Sequence, residues 1–151
     1  IFDAETLKFT GQYYEMPLEL HDAGIPWCIV DGPRGYLYTI EWHNGERLNV
    51  FDLDDMSLVK TVPVSMPLDR IQGGDIYDGM LYLSADVGSK QVYKLDPVTG
   101  EASLLFSRNV SPECEAESMT VLPTPEGPRF YVMDIGPMRI NLVLRAYRLT
   151  P

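Results

Sequence analysis

The chain has little of what most reaction centres are built from. Of its 151 residues only two are cysteine and two are histidine. Neither histidine has a Cys or His partner at metal-ligand spacing, which removes the zinc-finger and zinc-protease classes. No Gly-rich phosphate loop occurs, and no nucleophile elbow surrounds any serine. Basic residues are scarce, 12 against 22 acidic, for a net charge of −10. That balance speaks against nucleic acid, whose phosphates demand basic surface, and against an anionic membrane. A small molecule, a cationic ligand or a bound metal ion is easier to accommodate. No apolar run approaches the roughly 18 residues of a membrane helix, and no sustained 3.6-residue apolar period marks a helix. The runs are broken by 12 Gly and 12 Pro, which favours strands and turns.

The two cysteines, Cys28 and Cys114, are far apart in sequence. A bridge would need the fold to bring them together, and two buried or free thiols are the expectation. Asn109-Val110-Ser111 has the form of a glycosylation sequon. The chain opens at Ile1 without an initiator Met, consistent with processing or trimming, and no signal peptide is seen.

What the chain does have is a recurring phrase of strand, acidic turn and strand. Leu95-Asp96-Pro97-Val98-Thr99-Gly100 matches Leu53 to Leu58, Phe2 to Leu7 and the terminal Leu149-Thr150-Pro151, at steps of 51, 42 and 54 residues. Repeats of roughly 40–50 residues built from strands and turns are the signature of propeller blades. The reading is therefore all-β: a β-propeller segment of about three four-stranded antiparallel blades. A strand D is placed over 8–16, one blade over 27–64, a second over 74–106, and strands A to C of a third over 118–149. Twelve strands are expected. A ring needs at least about four blades, so companion blades are implied. They would come from the same precursor, in a larger ring such as one of six blades, or from self-association in which each copy donates its D strand to the next. A twelve-stranded β-sandwich is the alternative.

Asp78-Gly79-Met80-Leu81-Tyr82-Leu83 followed by Val92-Tyr93-Lys94-Leu95-Asp96-Pro97-Val98-Thr99-Gly100-Glu101 resembles the blade consensus of bacterial propellers with YVTN and NHL repeats, gluconolactonase-like calcium enzymes and glutamine cyclotransferase. Arg70-Ile71-Gln72-Gly73-Gly74 and Glu115 to Val121 resemble inner-strand openings in secreted and phytase-like, esterase-type propellers, where Glu-Gly stands in place of Glu117-Ser118. The resemblance implies an extracellular or periplasmic location. For function it leaves two classes: a ligand-binding or scaffolding propeller, and a secreted calcium-dependent hydrolase or lactonase-like enzyme.

Blade order selects a functional rim. In an antiparallel meander the D-to-A and B-to-C loops share one end of the sheet. The D-to-A segments hold His21, Asp22 and Trp27; Asp69, Arg70 and Gln72; and Glu113, Glu115 and Glu117. The B-to-C segments hold Glu41, Trp42 and His43, then Asp86, then Asp134. Converging Glu117, Glu115, Asp75, Gln72, Glu41 and Asp134 would form a hard-cation site of the Ca2+ type, and a carboxylate raised in pKa by its neighbours would serve as a general base. Trp27, His21, His43, Arg70 and Asp86 are candidates for the ligand rim. The competing reading is a solvated acidic surface, and the opposite rim carries turn residues that backbone preferences fully explain.

Overall fold

A computed structural model describes residues 1–21 and 23–149. The strands are β1 (Ile29–Asp31), β2 (Tyr36–Ile40), β3 (Gly45–Asp52), β4 (Leu58–Leu68), β5 (Ile71–Tyr77), β6 (Met80–Ala85), β7 (Gln91–Leu95), β8 (Ala102–Ser107), β9 (Glu115–Leu122), β10 (Arg129–Ile135) and β11 (Leu142–Arg148). They form three antiparallel meanders in chain order, β1 to β4, β5 to β8 and β9 to β11. These are the expected blades, with the third ending on its third strand.

The recurring acidic phrase is a structural unit. In three of its four copies an aspartate amide is bonded to the carbonyl five residues on: Asp3 to Lys8, Asp52 to Ser57 and Asp96 to Glu101, each at 2.9 Å; Thr150 and Pro151 of the terminal copy lie outside the described residues. The aspartate carbonyl in turn accepts from Leu7 at 2.8 Å, and from Met56 and Gly100 at 2.9 Å. Those three residues have positive φ of 55°, 58° and 79°, the left-handed turn that Gly100 adopts without Cβ cost. The aspartate side chain seals the turn, as where Asp96 Oδ1 accepts from Val98 N at 2.8 Å. That bond is the first of several that hold the Asp96 carboxyl below its ordinary pKa. The equivalent residues are Asp3, Asp52 and Asp96, so the first-blade match made on Leu53 and Asp54 is out of step by two. Asp54 and Asp55, in the turn that follows β3, mimic the motif aspartate two residues later and account for the mismatch.

Strand alternation then builds two cores. Between blades 1 and 2 lie Trp27, Ile29, Tyr38, Ile40, Leu48, Val50, Leu68, Ile71, Leu81 and Leu83, with their neighbours. Tyr82, Val92, Met119, Val121, Phe130 and Val132 fill the seam between blades 2 and 3. Because successive strand residues point to opposite faces, blade 2 contributes to both. Its innermost strand runs close to that of blade 3: a Cβ on Gly73 would sit 2.8 Å from the Ser118 Cα. Smallness at Gly73 is therefore a packing requirement.

One expected strand is missing. Residues 8–16 form no strand, and among the described residues before β1 the pairing is an isolated bridge between Phe2 and Phe9, whose rings lie 5.5 Å apart. A strand needs a ladder partner. This segment lies beside blade 1, its Tyr14 hydroxyl donating to the Asp54 carbonyl at 3.3 Å, where β4 already occupies the outer position and runs on to Leu68. The described residues therefore hold eleven strands rather than twelve. Strand β9 also begins at Glu115, three residues before the expected start, so Glu115 and Glu117 belong to the innermost strand and not to a loop.

Candidate functional site

The loops between blades do gather on one rim, as the Arg70 amide donating to the Trp42 carbonyl (2.8 Å) and the Asp86 amide donating to the Arg70 carbonyl (2.9 Å) show. At the seam of blades 2 and 3 they enclose a cleft of about 470 Å³, lined by Arg70, Asp86, Lys90, Pro112, Glu113, Cys114, Glu115, Gly136, Met138 and Arg139. Asp86 is its hub. One carboxylate oxygen accepts from Arg70 Nη2 at 2.8 Å. The other accepts from buried Lys90 Nζ at 2.6 Å and from the Ala116 amide at 2.9 Å. Arg70 Nη2 also donates to the Asp86 carbonyl, leaving Arg70 Nε buried without a partner. Across the cleft Arg139 Nε lies 3.2 Å from Glu115 Oε2, with the Arg139 side chain largely exposed.

The backbone here is strained. Arg70, Lys90, Met138 and Arg139 all have positive φ, at 48°, 60°, 61° and 58°. Each such residue costs on the order of 1–3 kcal/mol, and such outliers cluster at ligand clamps and active sites.

Behind the cleft lies a buried ion network. Arg108, with a fully buried side chain, donates from Nη1 to Asp134 Oδ1 at 2.6 Å, from Nε to the Lys90 carbonyl at 3.0 Å and from Nη2 to the Ala85 carbonyl at 3.3 Å. Arg145 holds the other Asp134 oxygen at 2.5 Å. Burial pulls the Arg108 pKa down while Asp134 opposes the shift.

The candidate residues thus divide. Arg70, Asp86 and Glu115 come together in the cleft. Glu117 is half-buried beside them, and its carboxyl is pushed above the usual range by burial first, then by Glu115 and Asp86. Asp134 is 1% exposed and locked between two arginines, so it is a structural anion rather than a free ligand. Asp75 ties two innermost strands together, Oδ2 accepting from Thr120 Oγ1 at 2.6 Å and from Val121 N at 2.8 Å. Gln72 lies half-buried on β5.

Glu41 is not among the cleft residues but lines a smaller hollow of about 150 Å³ with Leu20, Asn44, Glu46, Arg47 and Asn49. Trp27, expected at the mouth, is a core residue at 6% exposure because the blade 1–2 seam absorbs its ring. His21 is buried too: Nε2 contacts Thr39 Oγ1 at 2.6 Å and Asn49 Nδ2 at 3.2 Å, and the ring stacks on Phe51 at 6.2 Å. It seals the outer face of blade 1, and burial lowers its pKa. His43 remains exposed, 3.9 Å from Asp69. Asp22 lies outside the described residues. Among the described residues no three His, Cys, Asp or Glu side chains converge as a metal site would require, and Cys28 and Cys114 are free thiols.

Lys90, Arg108, Arg139 and Arg145 were not among the expected site residues. Their cationic groups neutralise the carboxylates, so the rim that reads as acidic in sequence is a mixed-charge cleft in space. The only signal in the sequence was that several of the 12 basic residues stand at strand ends facing this rim.

Comparison with solved structures supports the architecture. Glutaminyl cyclase from Myxococcus xanthus superposes with a TM-score of 0.54 at 21% identity, covering 74% of this chain and 51% of that one. Hydrazine synthase from Kuenenia stuttgartiensis gives 0.52 at 13% identity, covering 91% and 38%. The chain is a β-propeller segment. It spans about half the length of the cyclase and less of the synthase, and at these identities the likeness is one of fold. No protein-family model matches the chain, and no curated protein sequence matches it. No helix among the described residues is long and apolar enough to cross a membrane.

Proposed function

We propose that this propeller segment binds a small charged molecule in the cleft between blades 2 and 3. The observation that carries the reading is Arg70: strained in backbone, anchored to Asp86 through Nη2 alone, and lining the cleft with a side chain that is 39% exposed. The exposed part of that guanidinium offers a ligand carboxylate a charge-assisted hydrogen bond, roughly twice as strong as a neutral one. Arg139 on the far wall, mostly exposed, supplies a second cation, while Glu113 and Glu115 offer acceptors to an amine. A molecule carrying both charges, such as an amino acid or a peptide terminus, suits the set better than a simple cation.

Titration calorimetry with a panel of amino acids, dicarboxylates and diamines tests this. Binding confined to carboxylate-bearing members and lost in Arg70→Met supports the reading. Binding to diamines alone, binding unchanged in Arg70→Met, or no binding by any member of the panel overturns it.

A second reading is catalytic and rests on Glu117. A half-buried carboxyl with a raised pKa at the mouth of an innermost strand has the property a proton-transfer group needs, and a glutaminyl cyclase shares the fold. Turnover of esters, lactones or glutaminyl peptides that disappears in Glu117→Gln while ligand binding persists would favour it. Turnover that survives the substitution would exclude it.

A further inference from the structure

Arg108 stands behind the cleft rather than in its lining. Its side chain is fully buried just past the end of β8, against the loop that joins β6 to β7. That loop, residues 86–90, carries two of the groups that surround Arg70. The Asp86 carboxylate accepts from Arg70 Nη2, and the Lys90 ammonium donates to the same carboxylate. No strand ladder places either group, because β6 ends at Ala85 and β7 begins at Gln91.

The loop has a shape that residues 86–90 do not adopt unaided. Gly88 and Lys90 both have positive φ, 48° and 60°. Glycine takes that conformation without Cβ cost, whereas a lysine holds it only where its surroundings over-determine it. Here both sides of Lys90 are pinned. Its amide donates to the Val87 carbonyl at 2.8 Å, and its carbonyl accepts twice from Arg108, from the backbone amide at 3.1 Å and from Nε at 3.0 Å. Arg108 Nη2 donates to the Ala85 carbonyl at 3.3 Å, so one guanidinium grips both ends of the loop.

The remaining nitrogen, Nη1, donates to Asp134 of β10 at 2.6 Å, and Arg145 of β11 holds the other oxygen of that carboxylate. The blade 2 loop is thereby tied to blade 3, which forms the opposite wall of the cleft. Neutralising Asp134 would need only a point charge. Donating in three directions at once needs the planar fork of arginine.

We propose, on the carboxylate-binding reading of this cleft, that Arg108 is its positioning residue: by clamping residues 85 and 90 it fixes Asp86 and Lys90, and through them the Arg70 guanidinium that meets the ligand.

The test compares the whole chain in three forms: parent, Arg108→Lys, and Arg108→Met with Asp134→Leu. The single substitution keeps a cation against Asp134 and gives up the fork. The double removes both charges and spares the fold an uncompensated one. Two readouts separate a clamp from a residue that merely supports the fold. Amide hydrogen exchange should show protection lost at Asp86 and Lys90 in both variants while the amides of β6 and β7 keep theirs. Calorimetry with succinate and alanine as probes should show affinity lower by about tenfold, the size of one charge-assisted hydrogen bond put out of line. Affinity equal to the parent's in either variant, loop protection unchanged, or protection lost evenly over all three blades overturns the proposal. Should the parent bind neither probe, the binding reading fails; exchange then decides the clamp by itself, selective loss at the loop upholding it and even loss or no loss overturning it.

Discussion

Arg108 and Asp134 form an ion pair of 2.6 Å with side chains that are 0% and 1% exposed, joining the end of β8 in blade 2 to β10 in blade 3. Each charge has further partners, two carbonyls for the arginine and Arg145 for the aspartate. Removing one member of such a pair leaves the other buried and uncompensated, at a cost of about 3–5 kcal/mol, whereas replacing both with apolar groups is far milder. Arg108→Met is therefore expected to lower the urea midpoint sharply, and Arg108→Met with Asp134→Leu to recover much of the loss. Chemical denaturation of the two variants checks this, and equal destabilisation would show that the network contributes little beyond packing.

His21 gives the chain a weak side toward acid. Burial lowers its pKa below the ordinary value of about 6.5, so between those two values the unfolded chain holds the extra proton. Stability then rises with pH through that window and declines as pH drops below about 6.5. Thr39, Asn49, the Pro17 carbonyl and Phe51 face the ring, and none carries a charge that would rescue the imidazolium. Thermal melts from pH 7.5 to 5 should show a drop that is flattened in His21→Gln. A slope identical in the two proteins would assign the acid sensitivity elsewhere.

Glu117 has the opposite sign. Its folded pKa is raised, so the folded state holds the extra proton and stability is lost as pH climbs through the raised value. Glu117→Gln removes that loss, and the variant should melt higher than the parent at pH 7 but not at pH 4. A lower melting temperature at both would mean that the carboxylate is needed for the fold.

Gly73→Ala tests the closeness of the innermost strands. The added methyl would meet Ser118 backbone at 2.8 Å, and overpacking of this kind costs roughly 1–3 kcal/mol. Gly32, whose Cβ would meet nothing within 4 Å, is the control, and Gly32→Ala should be close to neutral. Comparable losses in both would contradict the close approach.

The blades were legible because turn chemistry and strand alternation are local. Asp-x-x-x-Gly and Asp78-Gly79 announce turns, and β7, β2 and β10 fall within a residue of where the pattern places them. The segment 8–16 was misread because a strand depends on a neighbour, and pairing is not written in one strand's own residues. The site was legible to the level of the rim. Arg70, Asp86, Glu115 and Glu117 do meet there, since blade order fixes which loops share an end. Two things were not legible. Trp27 and His21 look like ligand contacts in sequence, and only the packing of the blade faces shows that they are buried. The basic half of the cleft was missed because Lys90, Arg108, Arg139 and Arg145 come from three separate connections and strand β11, with no spacing that announces them.

Amide chemical-shift mapping of the labelled chain against a zwitterionic amino acid tests most directly whether the seam between blades 2 and 3 binds such a ligand. Shifts should concentrate on Arg70, Asp86, Lys90, Cys114 to Ala116 and Arg139, and vanish in Arg70→Met. Shifts centred instead on the hollow of Glu41, Glu46 and Asn49, or scattered over the surface, would contradict the account.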